Sequence, residues 1–416
     1  MAQLLNPTVK HLPNGLTIIA ESIPIEAVNL NIWLNIGSAL ESDEINGMAH
    51  FLEHMIFKGT EKLPKGEFER LVEGKGAITN AATSQEYTHY YITTAPADFA
   101  DLAPWQLELV FNPLFPDAEF QKERLVVLEE IRRSQDNPGR RLSSKVMETS
   151  FERLPYRRPV LGSLEVIESL SSQQMREFHQ SWYQPSSVTA VVVGNLPQEQ
   201  LIESVEKNVV NWTGSVLSPK QELEPELPFS EIVRSDSIDK ALVQSRLVMM
   251  WRVPGLNDLK TGDILDVLAA ILGQGKTSRL YRRLREQQRL VSQIGANNLT
   301  QMVQSSFYVS AQLEVENLNK VESAIIEEIQ KIQEDGVSES ELERIRTQVT
   351  NRYIFNSEKP GDRANLYGYY YCQMGDLTHA LNYPDIIRTI SREDIQKVAR
   401  DYLNTSAYGI VSIRDI

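Results

Sequence analysis

Met48-Ala49-His50-Phe51-Leu52-Glu53-His54-Met55-Ile56-Phe57 is the stretch from which the rest of the chain is best read. His50 and His54 are four residues apart, an offset that turns a helix by about 40° and sends both imidazoles out of one face. Glu53 lies about 60° to the other side of His50 and stays on that face. The rest of the wheel, Met48, Ala49, Phe51, Leu52, Met55 and Ile56, is apolar. A helix apolar on nearly all its other sides is expected in a core. Two imidazoles and a carboxylate held there need a partner, because unpaired buried polar groups are costly. A divalent metal suits this donor set.

H-x-x-E-H is the inverted zincin signature, and Zn²⁺ accepts histidine nitrogens readily. The chain has 6 His in 416 residues, so two meeting around a Glu on one helix face by chance is a poor explanation. One zinc per chain is expected. A catalytic zinc takes three protein ligands, so a third must come from another element. The pattern over Asp117–Arg133 predicts a helix whose stripe is Phe120, Val127 and Ile131. On it Glu130 lies about 60° from Val127, facing inward, and Glu129 about 160° away, facing water. Glu130 is therefore the expected third ligand. Glu123, two turns earlier on the same stripe, either bonds a ligating histidine or pairs with Arg124 at the surface. Glu53 can reach a water beside the ion without ligating, which fits a general base. His11, His89, His179 and His379 are scattered through strand and surface-helix patterns and are expected to be structural.

The flanks give the architecture. Val9–Leu12 and Leu16–Ala20 read as strands around the turn Pro13-Asn14-Gly15. Val28–Ile36 alternates apolar and polar, the mark of a half-buried strand. Strand patterns return over Ala77–Thr94 and Val188–Gly194, with helices between. Residues 214–230, rich in Pro and Glu without periodicity, read as a linker. The second half repeats the order of the first. Ser171-Ser-Gln-Gln-Met-Arg-Glu-Phe-His-Gln-Ser-Trp-Tyr183 parallels Ser391-Arg-Glu-Asp-Ile-Gln-Lys-Val-Ala-Arg-Asp-Tyr-Leu403, and each runs into a strand. The offset of 220 residues (391 − 171) fits two homologous domains in one chain. The expected division is an N-terminal domain over 1–213 with the metal motif and a C-terminal domain over 231–416 without it. The expected class is α+β, each domain a mainly antiparallel sheet covered by helices.

Composition narrows the function classes. A net charge of −14 argues against nucleic acid as partner. No apolar run is long enough to span a membrane, and the start, Met1-Ala-Gln-Leu-Leu-Asn-Pro-Thr8, has no secretory character. The single cysteine, Cys372, excludes an internal disulfide and leads to an expected cytoplasmic location.

His50-Phe-Leu-Glu-His54-Met-Ile-Phe-Lys-Gly-Thr60 resembles the active-site helix of the pitrilysin, insulysin and mitochondrial processing peptidase superfamily. In that family a Glu ligand lies about 76 residues past the second His, and here 130 − 54 = 76. The resemblance implies Glu130 as ligand, Glu123 as a second acidic residue assisting catalysis, and Glu53 as base. Asn80-Ala81-Ala82-Thr83 through Thr88-His89-Tyr90 resembles the edge strand that pairs with extended peptide, a β-augmentation. The family's C-terminal half carries an Arg and, seven residues on, a Tyr that contact substrate. Arg285 fits the Arg, but Ser292 stands at the Tyr position. The resemblance thus implies a zinc endopeptidase that encloses peptides in a clamshell chamber. A homologous second subunit would supply the Arg/Tyr pair, with a homodimer as the alternative. A non-catalytic structural or peptide-binding subunit is the reading from a different class.

Overall fold

The computed structural model describes residues 6–214 and 222–415. The first half runs β1 (Thr8–His11), β2 (Thr17–Ser22), β3 (Val28–Leu34), α1 (Met48–Ile56), α2 (Glu67–Gly74), β4 (Ile78–Thr83), β5 (Thr88–Thr94), α3 (Phe99–Phe111), α4 (Asp117–Asp136), α5 (Pro138–Ser150), α6 (Leu164–Ser169), α7 (Ser172–Trp182), β6 (Val188–Gly194) and α8 (Gln198–Val209). The second runs β7 (Val233–Ile238), β8 (Ser245–Pro254), α9 (Leu259–Gly273), a π-helical turn (Tyr281–Gln287), β9 (Gln293–Leu299), β10 (Gln304–Leu313), α10 (Leu318–Asp335), α11 (Glu339–Phe355), α12 (Pro360–Met374), α13 (Thr378–Thr389), α14 (Arg392–Tyr402) and β11 (Gly409–Arg414). The class is α+β, with two sheets of one plan. Their strand orders are β1-β2-β6-β3-β5-β4 and β7-β11-β8-β10-β9. Only β2–β6 in the first and β7–β11 in the second pair in parallel.

The self-match at 171 and 391 reflects one local device used twice. Ser171 and Ser391 each cap a helix through a reciprocal capping box, with Gln174 and Asp394 as the respective partners. The helices, α7 and α14, lead into β6 and β11.

The division into compact units differs from two contiguous halves. Unit 1 holds residues 1–132, 159–221 and 354–382, and unit 2 holds 133–158, 222–353 and 383–416. Each half of the chain therefore lends a helix to the other half's sheet. In unit 1, α12 packs on β3 and β6; in unit 2, α5 packs on β8 and β11. This accounts for β3. Its alternation predicts one wet face, yet all seven residues are buried. The apolar set Val28, Leu30, Ile32 and Leu34 joins the unit 1 core. The alternate set lies under α12: Asn31 donates to Asn365, and Asn35, just past β3, donates to the carbonyl of Cys372. A side chain at Gly368 would put a Cβ 2.1 Å from Trp33 Nε1, so this glycine lets α12 approach the sheet.

Of the segment expected as a linker, residues 215–221 lie outside the described residues. Its second part is held in unit 2. Glu226, 5% exposed, accepts from the backbone N–H groups of Glu152, Arg153 and Leu154 and pairs with Arg252 at 2.9 Å.

Candidate metal centre

The centre is built on α1, which buries Met48, Ala49, Phe51, Leu52, Met55 and Ile56 in the unit 1 core. Burial of that wide apolar arc fixes the helix about its own axis and leaves His50, Glu53 and His54 on the remaining face. Against it lies α4, which is anchored by buried Phe120, Val127, Leu128 and Ile131. Phe120 stacks on Phe51 with ring centroids 4.6 Å apart, tying the two helices together.

Glu130 Oε2 stands 3.7 Å from His50 Nε2 and 3.5 Å from His54 Nε2. One donor atom from each of the three residues falls within 4.8 Å of the others. Two atoms each about 2.0–2.1 Å from a tetrahedral ion stand roughly 3.4 Å apart. The carboxylate-to-imidazole separations are thus too long for direct hydrogen bonds and close to those of ligands around one zinc. With two nitrogens and one oxygen, the donor set fits Zn²⁺ as well. Glu129, whose side chain is 52% exposed, turns away and lies 3.9 Å from Arg132.

The surroundings discriminate between the two histidines. His54 Nδ1 meets Glu123 Oε1 at 3.0 Å, and Glu123 Oε2 meets Lys58 Nζ at 2.6 Å. Burial works against a proton on His54, but its hydrogen bond to Glu123 and the nearby Glu130 carboxylate outweigh that and raise its pKa to about 9. Burial pushes the Glu123 carboxyl up, and His54 with Lys58 more than reverses it, so the group is held below its usual range. Arg124 turns instead to Gln121 and the carbonyl of Leu170, which rules out the surface ion pair with Glu123. His50 behaves oppositely: burial, and then its neighbour His54, lower its pKa to about 4. Its Nδ1 is buried without a hydrogen-bond partner.

Glu53 does not join the three donors. Its Oε2 accepts from the Thr83 hydroxyl at 2.5 Å, at the end of β4. Burial raises its pKa, and the Thr83 bond tempers the rise. β4 is the outer strand of its sheet, and its exposure alternates along its length, with Asn80 and Ala82 outward. The N–H of Ala81 is covered by Asn80's own Oδ1 at 2.9 Å.

Arg285 and Ser292 belong to unit 2. Arg285 sits in unit 2 on the π-helical turn, its guanidinium 4.8 Å from the Tyr281 ring and donating to that phenol. Ser292 is bound into the same unit through Gln244 and the carbonyl of Gln312. Three remaining histidines have ordinary polar partners: His11 with Thr17, His89 with Asn31, and His179 with the carbonyl of Val110. The ring of His379 packs edge-on against Tyr370. Sequence reasoning missed Lys58 and the Thr83 hydroxyl. Lys58 follows His54 by four residues, a spacing that could have suggested a shared partner. Thr83 meets Glu53 only through tertiary packing.

Known proteins resemble this chain over nearly its whole length. Residues 17–164 match the family model "Insulinase (Peptidase family M16)", and residues 169–349 match "Peptidase M16 inactive domain". A chain from Rickettsia bellii named as an uncharacterized zinc protease is 28% identical over 98% of this chain and 97% of its own length. The zinc protease PqqE of Helicobacter pylori is 28% identical over 97% of this chain and 91% of its own. The crystal structure of a Helicobacter pylori protease superposes with a TM-score of 0.92 at 24% identity, covering 98% of this chain and 99% of that one. Among the described residues no helix is long and apolar enough to cross a membrane.

Proposed function

The chain belongs to the insulinase family of peptidases, M16, and from that premise we propose that it is a zinc-dependent endopeptidase acting on short or unfolded peptides. The observation that carries the reading is the convergence of His50 Nε2, His54 Nε2 and Glu130 Oε2 beside a separately held Glu53. His50, His54 and Glu130 would hold the ion. When bound, it supplies Lewis-acid chemistry, making water a stronger acid and polarising a carbonyl oxygen.

The remaining work falls to the protein. Glu53 takes a proton from the attacking water and passes it to the leaving amine. Its burial suits that task, because a carboxylate raised above its usual range is a better base near neutrality. The Thr83 hydroxyl holds Glu53 off the three donor atoms. Glu123, braced by Lys58, fixes the ring of His54 through Nδ1 and leaves Nε2 to ligate. An extended peptide adds to the open edge of β4 along Asn80, Ala81 and Ala82, displacing the Asn80 amide from the Ala81 N–H.

We further propose that a second, homologous subunit completes the chamber. Ser292, committed to Gln244, is too short to act as a phenol and supports this reading. Arg285 would contact substrate with that partner's help. A cytoplasmic location is proposed on the lone cysteine.

The test is peptide cleavage by the purified chain with chelator, without it, and after zinc is restored. Loss and recovery support the peptidase; cleavage indifferent to chelator overturns it. Full turnover by the chain alone, at a concentration where it is monomeric, would remove the second subunit.

A further inference from the structure

Helix α1 has nine residues, and His50 and His54 are its third and seventh. His50 thus lies in the first turn, where backbone N–H groups have no partner inside the helix. A helix this short is not stable by itself, and its first turn depends on what caps it. The residue at the cap, Gly47, has no side chain to offer and stands at φ +100°. A side chain there would place a Cβ 2.7 Å from the carbonyl oxygen of Leu161, so the usual Ser, Thr or Asp cap is excluded.

The capping group comes from further back in the chain. Glu41, 4% exposed, accepts from Gly47 N at 2.7 Å and Ala49 N at 2.6 Å, and from Asn46 Nδ2 at 2.9 Å. Its negative charge also lies at the positive end of the helix. The two imidazoles are therefore held by different means. Glu123 fixes the ring of His54 directly, whereas His50 Nδ1 has no hydrogen bond and takes its position from the backbone turn and packing.

We propose that Glu41 is a positioning residue of the metal centre: its buried carboxylate sets the first turn of α1 and thereby the aim of His50 at the ion. The proposal rests on the metal-centre reading above. A carboxamide at residue 41 presents an N–H₂ to N–H donors that need acceptors, so Glu41→Gln weakens the cap without changing its size.

The test is zinc affinity by indicator competition, with the visible spectrum of the Co²⁺-loaded protein as a second readout. The control is Glu226→Gln, which disturbs a buried carboxylate on backbone N–H groups in unit 2, far from α1 in the chain. Glu41→Gln should weaken zinc binding about tenfold or more and alter the Co²⁺ spectrum. Glu226→Gln should lower the melting temperature yet bind zinc as the parent does. Parent-like affinity and spectrum in a folded Glu41→Gln would overturn the proposal. Should that variant not fold, Glu41→Asp carries the test: it keeps the charge but falls one methylene short. Weakened zinc binding supports the proposal, and parent-like binding overturns it. A parent chain that takes up no zinc at all sinks the peptidase reading instead.

Discussion

Helices α1 and α9 occupy the same place in the two sheets, each packed on an outer strand, β4 or β9. Their chemistry diverges. The face of α1 bears His50, Glu53 and His54, and Glu53 accepts a hydrogen bond from Thr83 of the strand. On α9, Asp266 accepts from Asn298 of β9 at 3.2 Å, and at Gly273 the backbones close to where a Cβ would meet Ala296 N at 2.2 Å. The α9 side chains include no histidine. One plan thus carries two of the three clustered candidate metal donors on the helix of one copy and, among the described residues, no such cluster on that of the other. The fold by itself says nothing about which copy reacts.

The largest way to break the comparison is Glu53→Gln. It should reduce cleavage by about 10²–10⁴-fold while zinc content stays at the parent value, since Glu53 is not a ligand. Peptide turnover and metal analysis on the same sample check this; undiminished turnover removes Glu53 as base. Next is Glu123→Gln, which loosens His54 and should weaken zinc binding by about 10–100-fold. Competition titration reads it, and an unchanged affinity would mean that the bond to His54 Nδ1 is incidental.

In unit 2 the matching change is Gly273→Ala. Overpacking against the backbone of β9 should cost about 1–3 kcal/mol, visible as a lower melting temperature with unaltered zinc binding. The last effect concerns pH. Burial raises Asp263 to about 8, with Asp266 adding to it, and burial raises Asp266 to about 7. The folded state keeps protons that the unfolded chain releases near pH 4. This contribution is complete below that pH, declines as pH rises from there, and is gone once pH has passed 7 and 8. Unit 2 should therefore lose on the order of 1 kcal/mol per pH unit across this range. A double Asp263→Asn, Asp266→Asn variant should show a flatter melting profile; a parent profile already flat from pH 5 to 9 would contradict the shifts.

What the sequence made legible follows from how local each signal is. The H-x-x-E-H face, the Glu130 stripe and the repeated Ser-capped helices are set by helical periodicity within a few turns. Their geometry could be worked out before any fold was known. The wet face expected of β3 was wrong because its cover, α12, arrives from more than 300 residues later. The same exchange displaced the domain boundary expected near residue 213. β7 and β9 gave no strand signal, since Val233–Ile238 is mostly exposed and Gln293–Leu299 mixes Gly and Asn with few β-branched residues. Glu123 was left between two partners, and only packing could choose His54 over Arg124. Glu41 had no signal, because a cap supplied from outside the turn has no fixed spacing.

The account stands on a single tight zinc in unit 1, held by residues 50, 54 and 130. Metal analysis of the purified chain beside Glu130→Ala tests it most directly. One zinc per parent chain, and loss of tight binding in the folded variant, is the predicted result. A parent without stoichiometric zinc, or a variant that keeps it with unchanged affinity, would contradict the account.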